Sequence, residues 1–314
     1  MGETARVKDL EADVAIVGAG PVGMLLALQL GRAGKTVTLI EKWPEIYPRP
    51  RAVTMDAEVA RILASLGIDC DTDPDFENHK ELYYWKNADR QDLQIVDWES
   101  LAPSQWHVTY WFNQPRLEAR LMASIEDCPT VTVLRGWTAH ALSETDEAVT
   151  LSATDTATET KELRLTAQYL VGADGANSFV RETLGLGLVD KGYFFDWLIL
   201  DMIPPPDYKA SPAQWQLCDP KRPTTIVPGE PKRRRWEFML LPGEDENEFA
   251  ETEAAWRLLE PWGLSPDNAE LERSAVYRFQ ARWAKKWELS EGKNVGTIKR
   301  DVELTVLVKH LRWM

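Results

Sequence analysis

Cysteine is scarce in this chain. Cys70, Cys128 and Cys218 are the three present, widely separated and with no Cys-x-x-Cys pair. That excludes a disulfide framework, argues against a structural zinc site and fits a reducing, cytoplasmic compartment. Histidine is also scarce: His79, His107, His140 and His310. None lies at metal-ligand spacing from a cysteine or glutamate, so no metal site is expected. Positive charge is in deficit, with 36 Lys and Arg against 50 Asp and Glu and a net charge of −14. This balance argues against nucleic acid and anionic membrane as main partners. No apolar run is fit to span a bilayer, because the stretch 14–30 is broken by Gly18, Gly20, Pro21 and Gly23. The polar start Met1–Leu10 carries no targeting pattern, and no internal repeat is visible.

What is present early is a strand, a turn and a helix in immediate succession. The apolar run Asp13–Val17 enters Gly18-Ala19-Gly20-Pro21-Val22-Gly23, and the helical pattern Met24–Leu30 follows. Glu41 closes the next apolar run, 18 positions after Gly23 (41 − 23), with Lys42 beside it. This order of parts binds a dinucleotide. Gly18 permits a tight turn, Gly20 lets a pyrophosphate approach the backbone, and Gly23 with Ala27 lets the helix lie close to the strands. The helix N-terminus offers N–H groups and a positive dipole end to phosphates. Glu41 can accept hydrogen bonds from the two ribose hydroxyls and would repel a 2′-phosphate, which favours FAD or NAD over NADP at this position. A glycine-rich α/β turn without a ligand does not account for three glycines and the acid together.

Length predicts two domains or one large one, since the chain has 314 residues. Fourteen tryptophans, most beyond the first third, point to a second region with large aromatic packing surfaces. The single basic run, Lys232-Arg233-Arg234-Arg235, precedes a strand-like segment and reads as a solvated hairpin end. Helical spacing predicts helices at about 55–66, 114–127 and 248–259, the first stopping at Gly67. Strands are expected at 81–85, 93–98, 106–112, 131–134 and 163–171, with a surface hairpin around Glu144–Glu147. Residues 186–280 read as strands with proline-rich breaks, which with 81–112 suggests a sheet-rich second domain. The first domain is then discontinuous: 1–80, 113–185 and 281–314.

A second distinctive string is Val171-Gly172-Ala173-Asp174-Gly175-Ala176-Asn177-Ser178-Phe179-Val180-Arg181. A strand ends at an Asp-Gly turn, and a helix begins with Asn177 or Ser178 as cap. Alone it is compatible with an ordinary strand–turn–helix junction.

With both strings read, residues 10–287 resemble the single-component, FAD-dependent aromatic hydroxylases of the p-hydroxybenzoate hydroxylase fold. Within that class they are most similar to the 3-(3-hydroxyphenyl)propionate hydroxylases. Further matches are Arg49-Pro50-Arg51-Ala52, Asn113-Gln114-Pro115, Cys218-Asp219-Pro220, Arg235–Glu244 and Trp262-Gly263-Leu264. The resemblance implies an α/β fold, with a Rossmann-type FAD-binding domain and a mixed-sheet substrate domain. It implies that NADH or NADPH reduces the flavin, that O₂ is taken up as a C4a-hydroperoxide, and that a phenolic aromatic acid is hydroxylated. A homodimer remains open.

Carried onto this chain, the resemblance assigns the ADP half of FAD to Gly18, Ala19, Gly20, Pro21, Val22, Gly23, Glu41 and Lys42. Arg51 lies in the flavin-side loop, either on the cofactor or solvated. Gln114 bonds the flavin's linker chain or is a plain helix cap. Asp174 belongs beside the pyrophosphate and ribityl region, and Arg181 is a structural partner of that loop. Asp56 stands as the phenol base or as an exposed helix-start acid. Tyr277 and Arg282 face the substrate or pack within the sheet. Trp106, Trp111, Trp236 and Trp256 read as core.

Residues 288–314 depart from the family, which there carries a Gly-Asp segment and a helix facing the flavin. The expectation is a product shortened by splicing, retained intron sequence or a frame change, holding FAD weakly. The run Glu303–Val308 can add a strand. A competing reading is a non-catalytic FAD-binding remnant or a partner of a full-length copy. A flavin halogenase is disfavoured, since no Trp-x-Trp-x-Ile stretch occurs.

Overall fold

The opening strand–helix–strand unit forms as its pattern requires. The computed structural model describes residues 7–48, 52–78, 81–209, 212–229 and 232–287. The elements begin with β1 (Val7–Val17), α1 (Pro21–Arg32), β2 (Val37–Glu41), β3 (Thr54–Asp56), α2 (Ala57–Ser65) and β4 (Phe76–Asn78). There follow β5 (Tyr83–Asn87), β6 (Asp92–Val96), β7 (Thr109–Phe112), α3 (Gln114–Glu126), β8 (Val131–Arg135), β9 (Trp137–Glu144) and β10 (Val149–Asp155). Then come β11 (Glu162–Gly172), α4 (Phe179–Thr183), β12 (Leu188–Ile203), β13 (Trp215–Cys218) and β14 (Thr224–Pro228). The series closes with β15 (Arg234–Met239), α5 (Glu246–Ala250), α6 (Thr252–Leu259) and β16 (Glu270–Ala284).

The first sheet has the strand order β8-β2-β1-β11-β10-β9. Its first four strands are parallel, and β10 and β9 add antiparallel. Strand alternation sends Val14 and Ile16 to one face, where they pack with Leu25 and Leu28 of α1 and Leu117 and Leu121 of α3. Ala15 and Val17 go to the other face, with Leu151, Leu165 and Val180. Both faces of β1 are covered, which is why its sequence is a continuous apolar run. Each fully buried leucine here contributes about 1.5–3 kcal/mol.

The second sheet has the order β16-β12-β15-β14-β13-β5-β6 and is mixed, since β5 and β13 pair parallel and the rest antiparallel. One face buries Leu198, Leu200, Trp236 and Phe238 beneath Ala255 and Leu259 of α6. The other face turns toward the lobe built on the first sheet (the first lobe), where Tyr83 and Val227 pack with Trp111 of β7 and with Val53. A small antiparallel sheet, β3-β7-β4, lies at this junction. The α/β class with a second mixed sheet is the one expected.

Several expectations differ from what formed. The helix expected over 248–259 is two helices, because Glu251 is extended at φ −66° and ψ 141° and restarts the winding by accepting from Ala254 and Ala255. The break lets Phe249, Ala255 and Leu259 reach one core. The hairpin around 144–147 is integral to the first sheet rather than a surface attachment, since β10 buries Val149, Leu151 and Ala153 against β11. The basic run is not simply solvated. Lys232 holds the turn at φ 72°, Arg233 forks onto Glu272, and Arg235 is buried against Asp201 directly across on β12. Strand β7 joins the small sheet rather than the second one, and β16 runs unbroken through 281–284 beside β12.

Candidate functional site

The two turns singled out in the sequence adjoin each other. Strands β1 and β11 are paired down to Val17 with Gly172, and Ala173 N–H donates to the Val17 carbonyl at 2.8 Å. Gly18 has φ +104°, and a Cβ there would stand 2.4 Å from the Ala173 carbonyl oxygen. A Cβ on Gly23 would stand 2.0 Å from the Gly18 carbonyl oxygen, so α1 is set down on the turn itself. Gly20 is of another kind: nothing lies within 4 Å of its Cβ position. It begins α1 without a side-chain cap, and Pro21 occupies the first turn, where a missing N–H costs nothing. The N–H groups of that turn, Val22 and Gly23 among them, have no partner inside the helix.

Glu41 ends β2 beside this turn. Its Oε2 accepts from Ala19 N–H at 2.9 Å and its Oε1 from Trp43 N–H at 2.9 Å. Lys42 is exposed, with its ammonium 5.5 Å above the Trp43 ring. Asp174 accepts from the Ser178 hydroxyl and from Val180 N–H at 3.1 Å. Ser178, not Asn177, caps α4, and Arg181 ties the loop by donating to the Ala176 carbonyl at 2.8 Å. An extended dinucleotide fits these residues: open backbone at Gly20, a helix start for phosphate, and a fixed carboxylate for ribose hydroxyls.

The remaining predicted residues are placed separately. Arg51 lies outside the described residues. Gln114 is buried and is not the helix cap; Asn113 is, accepting from Arg116 N–H at 3.0 Å. Gln114 accepts from Ala52 N–H at 2.9 Å and donates to Glu118 at 2.7 Å, so it ties the 52 loop to α3. Asp56 is half-buried and caps α2, taking Glu58 and Val59 N–H at 3.1 and 3.0 Å. Tyr277 sits opposite Trp197, with the Arg273 guanidinium 4.9 Å from its ring. Arg282, an odd number of positions further along β16, reaches Asn177 Oδ1 at 3.5 Å beside the Asp174 turn. Asp56, Tyr277 and Arg282 therefore each have different partners.

Sequence reasoning missed the polar face of the second sheet. Arg235 forks onto Asp201 at 2.7 and 3.0 Å, and Arg273 approaches the same carboxylate at 3.5 Å. Their side chains are 5 %, 13 % and 4 % exposed, respectively. Burial opposes the charge on Arg235, and Asp201 overcomes it, holding its pKa above the usual value. Burial lowers Arg273 and raises the Tyr83 phenol. Thr225 donates to Gln216 at 2.8 Å, and Gln216 donates to the Tyr83 oxygen at 3.1 Å. The signal available was the charged–aromatic alternation Arg235-Trp236-Glu237-Phe238. A separate open cleft of about 380 Å³, lined by Trp111, Pro205, Tyr208, Gln214 and Arg234, includes none of the predicted site residues.

A family model described as an FAD binding domain matches residues 11–291. The chain belongs to that family. It is 34% identical over 276 residues to a probable NADH-specific resorcinol 4-hydroxylase of Rhodococcus jostii, covering 88% of this chain and 51% of that protein. It is 33% identical over 278 residues to the 3-(3-hydroxy-phenyl)propionate/3-hydroxycinnamic acid hydroxylase of Escherichia coli, covering 88% and 49%. The chain thus spans about half the length of these relatives. The fold matches p-nitrophenol 4-monooxygenase of Pseudomonas putida with a TM-score of 0.77 at 22% identity, covering 92% of this chain and 72% of that one.

Proposed function

We propose that this FAD-family chain serves an aromatic hydroxylase that inserts one atom of O₂ into a phenolic ring with electrons from NADH or NADPH. The observation that carries the reading is the junction of the Gly18 and Asp174 turns at the carboxyl ends of β1 and β11. The strand order switches direction there, and open α/β sheets bind ligands at such points. The relatives' names add the substrate class. Resorcinol and 3-(3-hydroxyphenyl)propionate are both phenols substituted meta to a hydroxyl, so a meta-substituted phenol is assigned, with the propionate as the first acid to test. As part of this reading, the chain divides into an FAD-binding lobe of 1–80 with 113–185 and 281–314 and a substrate lobe of 81–112 with 186–280, amended so that β7, which pairs with β3 and β4, goes to the first lobe and β16, which pairs with β12, stays whole in the second.

FAD, when bound, supplies the hydride acceptance and oxygen activation that no side chain provides. The chain's residues hold and orient. Gly20 with the start of α1 receives the pyrophosphate, and Glu41 accepts ribose hydroxyls while excluding a 2′-phosphate. Asp174 is oriented by Ser178 and Val180 toward the polar linker of the cofactor. Gln114 fixes the 52 loop. Asp56 positions α2 as its cap and acts on substrate only through that placement. Tyr277 and the aromatic face around Tyr83 and Trp85 border the ring and exclude water.

Titration of the purified chain with FAD, read by tryptophan fluorescence and flavin absorbance, tests the first half. Saturable binding is expected, and its absence overturns the reading. NADH oxidation with 3-(3-hydroxyphenyl)propionate under isotope-labelled O₂ tests the second half. Labelled catechol is the expected product. FAD binding without phenol-dependent product formation leaves a dinucleotide-binding protein and removes the hydroxylase assignment.

A further inference from the structure

The middle of the second sheet carries a carboxylate that makes no hydrogen bond among the described residues. Cross-strand neighbours form one row: Trp85, Gln216, Thr225, Glu237, Ile199 and Ala275. Trp236 and Phe238, on either side of Glu237 in sequence, point into the core beneath α6. Alternation therefore turns Glu237 to the opposite face, the one that meets β7 and Val53.

Most polar groups on this face are committed to one another. Thr225 serves Gln216, Gln216 serves Tyr83, and Arg235 forks onto Asp201. Glu237 differs. Among the described residues its one ion pair is with Arg235 Nη1 at 4.0 Å, beyond hydrogen-bond length. One-fifth of its side chain stays accessible (21 %), and the small Ala275 lies next but one in the row. Burial pushes its pKa up. A carboxylate so desolvated, with no hydrogen-bond donor among the described residues, is stabilised by any hydroxyl brought to it.

We propose that Glu237 accepts the hydrogen bond of the substrate's phenolic hydroxyl and so selects phenols over ring acids that lack it. This rests on the hydroxylase reading above. A site built to bond a hydroxyl discriminates strongly against the analogue without one, because its own polar group is then left unpaired. Among the described residues, the charged and titratable groups facing Glu237 are Arg235 on its own strand, Asp201 on β12, Arg273 on β16 and Tyr83 on β5. Tyr47, from the loop of the first lobe, acts on Arg273. The carboxylate is the better acceptor, so the preference for phenols is present above the raised pKa of Glu237 and is lost as pH falls through it.

The test is fluorescence titration of the chain with 3-(3-hydroxyphenyl)propionate and with 3-phenylpropionate across the acid to neutral range. The wild type is expected to prefer the hydroxylated acid by about tenfold or more. Glu237→Gln should bind 3-phenylpropionate as the wild type does, lose most of the preference, and show a flat pH profile. Glu237→Asp should keep part of the preference and its pH dependence. If Glu237→Gln retains the preference, or if binding of both acids falls together, the assignment is overturned. If Glu237→Gln does not fold, Glu237→Asp decides, and an unchanged preference and profile overturn it. Failure of 3-(3-hydroxyphenyl)propionate to bind the wild type also overturns it. FAD titration of the same preparation reports separately on the dinucleotide reading, which can stand or fall independently.

Discussion

Gly18 lies against Ala173 so closely that a Cβ on the glycine would stand 2.4 Å from the alanine's carbonyl oxygen. The contact joins the end of β1 to the end of β11, and both obstacles to a side chain are backbone: the carbonyl and the positive φ of +104°. Gly18→Ala should cost about 1–2 kcal/mol for the backbone conformation and about 1–3 kcal/mol for the overpacking, read as a lower urea midpoint. Gly20→Ala should behave oppositely. Its Cβ meets nothing within 4 Å, so stability falls only by about 0.5–1 kcal/mol through the poorer cap. FAD affinity should fall by roughly tenfold or more, since the methyl occupies the approach to the helix start. Equal effects of the two changes on stability would refute the division of roles.

The glycine turn is readable in the sequence because each of its demands is local. A strand-length apolar run, a clash that only glycine avoids and a helix start all fall within about a dozen residues. Arg235 and Glu237 are not readable in this way. Their burial follows from β15 lying beside β12, some thirty residues earlier in the chain, and a charged run with no visible partner reads as solvated. Asn113 is legible as the cap, a strong capping residue two positions before Pro115, whereas the resemblance points to Gln114 at the helix start. The break at Glu251 carries no glycine or proline, so only the demand of the shared core reveals it.

Asp201 and Arg235 form a buried ion pair, at 2.7 and 3.0 Å, with the equally buried Arg273 against the same carboxylate. Asp201→Ala leaves two desolvated guanidinium groups without their shared anion. The expected loss is about 3–5 kcal/mol. Asp201→Asn keeps the shape and a hydrogen-bond acceptor and should lose less. Urea denaturation of both variants checks this, and a loss below that of an exposed pair for Asp201→Ala would show that water already reaches the cluster.

Gln114 joins the chain at Ala52 to Glu118 inside α3, through bonds of 2.9 and 2.7 Å. Gln114→Leu keeps the volume but strands the Ala52 N–H and removes a donor from the buried Glu118. A loss of about 1–3 kcal/mol per stranded group is expected, together with faster proteolysis near residue 52. Gln114→Glu should be worse, because it sets a second carboxylate against Glu118. Thermal unfolding of the two variants, compared at equal protein concentration, measures the order.

Asp155 organises the turn between β10 and β11. Its carboxylate accepts from Thr158 N–H and hydroxyl, Thr160 N–H and Lys161 N–H. The Thr158 hydroxyl and the Lys161 amide hold its pKa down at about 2. A carboxyl with a depressed folded pKa contributes stability that is complete above its unfolded value of 3.8 and is lost as pH falls toward about 2. Asp155→Asn should therefore be less stable than the wild type at neutral pH, with the gap narrowing through that window. A gap that stays constant down to the lower value would assign the stabilisation to the side chain's shape and not to its charge.

The three thiols should report the fold by their reactivity. Cys70 is 5 % exposed, and burial, aided by the nearby Asp71 and Asp69, pushes its pKa up to about 12. Cys128 is half-buried, with its sulfur 3.4 Å from the Thr130 hydroxyl, and Cys218 is exposed at the end of β13. An ordinary thiol has a pKa of about 8.5, so at neutral pH Cys70 carries roughly a thousandfold less thiolate, before access is considered. A disulfide reagent should label Cys218 rapidly, Cys128 slowly and Cys70 only when the first lobe opens. Mass mapping of the labelled positions with time gives the order. In urea the labelling of Cys70 should follow the unfolding transition of the chain. Labelling of Cys70 at the rate of Cys218 in native buffer would mean that the packing of α2 and β4 around it is open in solution.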